Sequence, residues 1–396
     1  MKKKGSEWKK ISWAEALETV SSKLSVIKSK YGPQSVAVCF GMSVLTQGTS
    51  TISFIRRFCD AYGTPSVFLV DSMCWRSRLI GTILTFGTYP MPDIEASKCI
   101  VIWGNNPHQS SWPVMLKILS AQKRGSKLVV IDPRRTFMAE KADIHIKIRP
   151  GSDGALLLAL LNVIISEKLY EENFVARWTY GFDKLVEHVE QYPPEWAEKI
   201  TWVPENTIKE LARVFATTKP SAILSPNNTI EESGNAVQNH RAIAILQAIT
   251  GNYDVPGGYV TFSRVQRSPI RLKEMIKEKP LGVERYPLFH GYWDRLLGEG
   301  EGQTMLVPDA ILKGEPYPIK AAIVSGSNPL VSWPNSKKVR EAFEKLEFLV
   351  VMDMFMSDTA KIADIVLPAA SSFERNEIYD FYTVECTPKT GQNMLE

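Results

Sequence analysis

The sequence has few cysteines, few histidines, no long apolar run and no marked excess of charge of either sign. Its five cysteines, Cys39, Cys59, Cys74, Cys99 and Cys386, form no CxxC pair within 396 residues. So sparse a set excludes a disulfide framework and a self-contained zinc or iron–sulfur site. The histidines, His108, His145, His188, His240 and His290, include no pair at HxxxH spacing. The longest apolar stretch, 155–165, is broken by Asn162 and falls well short of the roughly 20 residues that cross a bilayer. The basic start, Lys2-Lys3-Lys4, is followed by no apolar signal core and reads as a solvated terminus. The expectation is a soluble, cytoplasmic chain without a direct membrane span. A net charge of +4 is too small over this length to point to nucleic acid. The usual nucleotide fingerprints are also missing. No GxGxxG opens a helix, no GxxxxGK[ST] occurs, and the glycine run at 298–302 is acidic and would repel phosphate. An ordinary NAD enzyme or P-loop ATPase is thereby excluded.

What is present is an average globular composition, 44% hydrophobic and 23% charged, which rules out disorder or coiled coil as the main description. The length suggests two or three domains. Ser12-Trp13-Ala14-Glu15 is a capping box, and Ala16, Leu17, Val20, Leu24 and Ile27 then recur at helical spacing until Gly32-Pro33. Strands are expected at 35–40, 66–70, 99–103, 127–131, 144–148 and 222–224. Helices are expected at 52–62, 112–123, 153–167, 206–216 and 236–249. Residues 262–316 read as an irregular surface excursion, followed by a last α/β segment at 318–370. Alternating strands and helices predict an α/β fold with mainly parallel sheets.

The sequence also repeats itself. VIWGNNPHQSSWP at 101–113 returns as IVSGSNPLVSWP at 323–334, and VVIDPRRTFMAEKAD at 129–143 returns as VVMDMFMSDTAKIAD at 350–364. The offset is 222 residues at Gly104/Gly326 and Asn106/Asn328, and 221 at Asp132/Asp353 and Asp143/Asp364. Four motifs in one order at a near-constant offset imply two pseudo-repeated, dinucleotide-binding-like halves. In an open parallel sheet, ligands sit beyond the carboxyl ends of strands. Gly104 and Gly326 lie there, where a backbone without Cβ can approach a phosphate. Asp132 and Asp353 end the next strands, where a carboxylate can accept from ribose hydroxyls or a base edge. One domain is expected from 1–94 joined to 318–396, and the other, inserted, from 95–317.

These motifs, with Asp71-Ser72-Met73-Cys74, Arg149-Pro150-Gly151-Ser152-Asp153, LQAITGNYDVPGG at 246–258 and ADIVLP at 363–368 before Glu374-Arg375, resemble the molybdopterin oxidoreductase family. The resemblance covers essentially the whole chain. It implies molybdenum or tungsten held by two molybdopterin guanine dinucleotides, one for each half. Gly104, Asn106, Pro107, Asp132, Arg134, Thr136 and Asp153 would serve one, and Gly326, Asn328, Pro329, Asp353 and Thr359 the other. Cys74 matches the position that supplies the protein's ligand to the metal, a soft thiolate for a metal already held by sulfur. Arg76 and Arg78 nearby would favour the thiolate. Trp75 stands where formate dehydrogenases place a histidine, which argues against formate as substrate.

On this resemblance the family's N-terminal iron–sulfur domain, for which residues 1–38 offer no cysteine, and its C-terminal dinucleotide-binding domain are expected to lie outside these 396 residues. The resemblance therefore places a 4Fe-4S cluster on a partner subunit or a domain outside this chain. It implies the catalytic subunit or core fragment of an oxidoreductase that acts on a small molecule by two-electron chemistry. The alternatives are a non-redox hydratase on the same scaffold and a non-catalytic cofactor-binding piece of a split enzyme. His108, in the first glycine turn, could face a phosphate or the pterin. The Ser-Trp-Pro triads read as helix-start packing, and His145 as structural.

Overall fold

The structure, a computed structural model, describes residues 1–5, 7–45, 49–225, 229–261, 270–287 and 300–374. His290, Gly298, Glu299, Arg375 and Cys386 lie outside the described residues. The chain forms two compact units, dividing after Met73 and after Arg264. Both divisions come earlier than 94 and 317, the borders drawn from the sequence pattern. Two features place them there. The short strand Met91–Pro92 pairs with Tyr259–Val260 inside the second unit. Val307, Ala310 and Ile311 of helix Val307–Lys313 enter a core of the first unit, although this helix falls within the expected irregular excursion.

The strands, in chain order, are β1 Lys2–Lys4, β2 Glu7–Lys9, β3 Val36–Phe40, β4 Val67–Leu69, β5 Met91–Pro92, β6 Cys99–Trp103, β7 Lys127–Ile131, β8 Ile144–Ile146, β9 Ser221–Leu224, β10 Tyr259–Val260, β11 Ala321–Ser325, β12 Phe348–Asp353 and β13 Ile365–Pro368. The first unit holds one sheet in the order β2-β1-β13-β12-β11-β3-β4. It is parallel from β13 to β4. The second unit holds a parallel sheet, β8-β7-β6-β9. β3 and β6 are buried along their whole length, as apolar strands are when both faces of a parallel sheet are covered. Helix α1, Trp13–Tyr31, starts where the capping box places it: the Glu15 amide donates to Ser12 Oγ at 3.1 Å. Its Leu24 and Ile27 pack with β3 and β4.

The charged terminus is strand rather than solvated coil. β1 and β2 form an antiparallel pair, and β1 joins the sheet through Lys2↔Ile365. β2 is the edge strand and β1 lies one strand in; a charged pair at this margin of the sheet discourages further strand pairing. The repeated Ala-Asp pairs are also structural. Asp143 Oδ2 accepts from the Leu128 amide at 2.7 Å, and Asp364 Oδ2 from the Leu349 amide at 2.8 Å. Each carboxylate satisfies an amide near the start of the neighbouring strand, β7 or β12.

Two buried polar clusters tie segments together. In the first unit, the carboxylate of Asp60, on helix α2 (Thr49–Tyr62), is fully buried. It accepts from Arg271 Nε at 2.6 Å, from Arg271 Nη2 at 2.9 Å and from the Leu272 amide at 2.8 Å. In the second unit, helix α3, Arg76–Phe86, follows Cys74 by two residues and packs closely on helix α5, Ala236–Ile249; helix α4, Asp153–Ser166, lies between them in sequence. Gly81 makes the α3–α5 approach possible, since a Cβ there would sit 2.6 Å from the Val237 carbonyl oxygen. His240 on α5, only 2% exposed, places Nε2 3.3 Å from Glu231 Oε1. Burial lowers its pKa, with Arg78 acting in the same direction, while Glu231 and Asp153 pull it up.

Asp60→Ala removes the buried carboxylate that accepts all three of these bonds and should cost about 3–5 kcal/mol in urea denaturation; an unchanged midpoint would show that the pair carries no stability. Replacing both partners by apolar residues (Asp60→Leu with Arg271→Met) should recover most of the loss. Because the folded state resists protonating His240, the unfolded chain binds the extra proton first. Stability should be full above the ordinary imidazole pKa of about 6.5 and decline as pH falls below it. His240→Gln should flatten that decline between about pH 7.5 and 5.5, and a slope unchanged from the parent would assign it to other groups.

Candidate functional site

The two copies of the repeat fold into the same turn, one in each unit. β6 ends at Trp103 and Gly104 follows with φ +61°; β11 ends at Ser325 and Gly326 follows with φ +53°. Side chains rarely adopt this left-handed region, so glycine is required there. Each glycine amide reaches the neighbouring strand: Gly104 N–H donates to the Ile131 carbonyl at 2.7 Å and Gly326 N–H to the Met352 carbonyl at 3.2 Å. Asn106 and Asn328 have nearly the same backbone angles, φ −126°, ψ 75° and φ −127°, ψ 72°. Each opens a single helical turn whose first residue is proline, Pro107 or Pro329, where the missing N–H costs nothing.

The carboxylates at the ends of β7 and β12 are also matched. Asp132 Oδ1 accepts from the Arg134 amide at 2.8 Å, and Asp353 Oδ1 accepts from the Phe355 amide at 3.1 Å. In both copies a hydroxyl then caps the next short helix: Thr136 Oγ1 accepts from the Ala139 amide at 3.2 Å and Ser357 Oγ from the Ala360 amide at 3.4 Å. Ser357 is the true counterpart of Thr136 at the 221-residue offset. Sequence reasoning passed over it, although that offset marks it. Ser357 also donates to Asp353 Oδ2 at 2.9 Å.

The copies differ at the asparagine. In the first unit, Asn328 Oδ1 accepts from the Thr359 amide at 3.1 Å and from its hydroxyl at 2.7 Å, and Thr359 is fully buried. The residue at the corresponding place in the second unit is Met138, and the buried Oδ1 of Asn106 has no hydrogen-bond partner. One copy is closed on itself. The other presents an unmet acceptor beside its glycine turn, which suits a donor brought by a ligand.

The remaining second-unit candidates lie close by. Asp153 is the first residue of α4 and accepts from Trp103 Nε1 at 2.8 Å. Trp103 precedes Gly104, so Asp153 is tied to the same turn. Arg134 is largely exposed, with Nε 3.7 Å from Asp132 Oδ1, leaving most of its guanidinium for an anion. Arg135 lies 3.7 Å from Glu140. His108 stacks on Phe137 at 4.6 Å. His145 Nε2 lies 3.0 Å from the Asp132 carbonyl oxygen and so buttresses that strand end. The Ser-Trp-Pro triads diverge: Trp112 is exposed at the start of its helix, whereas Trp333 is buried against Phe343 at 5.7 Å.

Among the described cysteines, Cys74 alone is not buried. Burial raises the thiol pKa of Cys39 far above its ordinary value and pushes Cys59 and Cys99 up to about 12, so these three are poor thiolate donors. Cys74 lies in a turn between the 3₁₀ segment Val70–Met73 and α3. Arg78, in the first turn of α3, donates from Nε to the Tyr89 hydroxyl at 2.6 Å and from Nη1 to the Ser225 carbonyl at 2.9 Å. Trp75 meets Tyr89 edge-on at 5.7 Å. Among the described residues, no group of three His, Cys, Asp or Glu side chains could hold a metal, and no helix is long and apolar enough to cross a membrane. A metal carried by its own sulfur-rich cofactor and completed by one cysteine fits these residues. Both turns leave no room for a Cβ, and one retains an open acceptor.

Comparison with known proteins supports the same grouping. The model of the molybdopterin oxidoreductase family matches residues 1–384. Acetylene hydratase of Syntrophotalea acetylenica is 34% identical over 98% of this chain and 56% of its own length. The molybdopterin-containing subunit of thiosulfate reductase from Salmonella typhimurium is 31% identical over 94% of this chain and 50% of its own. Formate dehydrogenase H of Escherichia coli is 32% identical over 96% and 54%. The solved structure of acetylene hydratase from Pelobacter acetylenicus superposes with a TM-score of 0.86 at 30% identity, covering 98% of this chain and 57% of that one. The chain thus spans about half the length of the relatives it matches. With matched glycine turns in two α/β units and a family model that runs through both, the chain belongs to the molybdopterin oxidoreductase family.

Proposed function

We propose that this chain is the core of a molybdenum or tungsten enzyme in which each α/β unit binds one molybdopterin guanine dinucleotide and Cys74 ligates the metal. The observation that carries this reading is the identity of the two turns, Gly104-x-Asn106-Pro107 and Gly326-x-Asn328-Pro329, down to their backbone angles. A duplicated site fits a duplicated ligand.

The chain's own residues bind and orient. Backbone at Gly104 and Gly326 admits a phosphate at close range. Asp132 and Asp353, each held by the amide two residues on, present their remaining acceptor capacity to ribose or guanine donors. Arg134 offers a planar cation to phosphate. The Asn106 Oδ1 acceptor and Asp153 flank the second-unit turn. Cys74 donates sulfur from the one described cysteine that is not buried. The bound group would supply two-electron transfer at the metal.

Electrons would pass through an iron–sulfur partner or domain. A second reading is favoured by one observation: acetylene hydratase matches this chain over 98% of its length in both sequence and structure. On that reading a small unsaturated substrate adds water and no electron partner is used. Turnover assayed with and without an artificial electron acceptor separates the two.

Cys74→Ser should lower metal retention and activity on the order of 10- to 100-fold while the melting temperature stays put; unchanged metal content would sink the ligand assignment. Asp132→Ala and Asp353→Ala should each weaken cofactor retention on the order of tenfold or more, measured as pterin left after dialysis. An effect in only one of them would break the two-site reading.

A further inference from the structure

The pseudo-symmetry extends one strand beyond the sequence repeat. In the second unit, β6 is flanked by β7 on one side and by β9 on the other, in register Cys99↔Ser221 to Ile102↔Leu224. In the first unit, β11 is flanked by β12 and by β3, in register Ala321↔Val36 to Ser325↔Phe40. β9 comes after β6 in the chain, but β3 comes long before β11. The fourth strand of the two halves is therefore circularly permuted, and no constant offset reveals it.

Just past each of these fourth strands, a hydroxyl reaches the glycine turn. Thr229 Oγ1 donates to the Gly104 carbonyl oxygen at 2.8 Å. Ser43 Oγ donates to the Gly326 carbonyl oxygen at 2.7 Å. Both side chains also occupy the space where a Cβ would stand. One built on Gly104 would come within 2.9 Å of Thr229 Cγ2, and one on Gly326 would meet the Ser43 hydroxyl. Two segments from opposite parts of the chain thus make the same contact to equivalent atoms.

We propose that Thr229 and Ser43 are matched positioning residues, each holding its glycine peptide so that the next amide faces a cofactor phosphate. The reason lies in peptide geometry. The carbonyl of Gly104 and the N–H of Asn105 belong to one planar trans unit and point in opposite directions; the same holds for Gly326 and Ser327. A hydroxyl that fixes the oxygen therefore fixes the direction of the amide. Glycine is the residue at which this peptide would otherwise flip most easily, and a flip would turn an oxygen toward the phosphate. The proposal rests on the two-site reading above and deepens it: it names what keeps each phosphate cradle in its binding orientation.

The test uses guanosine diphosphate as probe, by equilibrium dialysis against the full chain without cofactor, together with pterin retention of the loaded protein. Thr229→Val and Ser43→Ala should each weaken both by roughly two- to tenfold, the effect of one hydrogen bond. Melting temperatures should stay within the spread of the parent, because both hydroxyls are exposed. Thr229→Ser and Ser43→Thr, which keep the hydroxyl, should restore binding. If the parent binds the probe and Asp132→Ala loses it while Thr229→Val and Ser43→Ala match the parent, the positioning role is overturned and the two-site reading stands. If the parent binds no probe and retains no pterin, the two-site reading itself fails and the proposal falls with it. Loss in the Val and Ala variants without rescue by Ser and Thr would also overturn the proposal, since it would assign the effect to packing rather than to the hydroxyl.

Discussion

A parallel strand brings its chain to the sheet edge, and the residues after it must leave that edge without blocking it. At Gly104 and Gly326 the chain does this with a left-handed turn, a glycine amide bonded back to the adjacent strand, and an asparagine that starts a helical turn on proline. Everything else proposed for this protein depends on that turn. It brings backbone to the carboxyl ends of the strands with no Cβ in the way, and the chain contains it twice.

The acidic residues of the repeat divide their work by position. Asp143 and Asp364 are exposed residues whose carboxylates satisfy strand amides; they keep β7 and β12 in place. Asp132 and Asp353 stand at the other end of those strands, steadied by one amide each, with acceptor capacity to spare. Identical residues at identical spacing thus serve the scaffold at one end and, on the proposed reading, the ligand at the other. One break in the pattern, Thr359 against Met138, leaves Asn106 with an unmet acceptor. It makes the two halves chemically distinct even though their backbones match.

Much of this was legible in the sequence because it rests on local rules. The capping box at Ser12, the glycine–proline punctuation of the turns and the all-apolar strands each act within a few residues, and the repeat exposed their pairing. Less was legible where a residue acts through a distant partner. Lys2-Lys3-Lys4 carries no apolar pattern although it lies between β2 and β13, so its pairing with β13 was hidden. Val307–Lys313 is short and lies amid polar sequence, and it is helical because Val307, Ala310 and Ile311 find a core. The hydroxyls of Ser43 and Thr229 sit at unrelated sequence positions and meet equivalent atoms only once the sheets form. Of the residues singled out for the site, those at the turns and strand ends lie together in each unit. Thr359 turns inward, and its neighbour Ser357 takes the place matched to Thr136.

On the proposed reading, each of the two matched turns holds one pterin nucleotide. Metal and pterin should be quantified together on protein purified from its native host. The account predicts molybdenum or tungsten with two pterin guanine dinucleotides per metal atom. One pterin nucleotide per metal atom would contradict it, because one of the two matched turns would then have no ligand to hold.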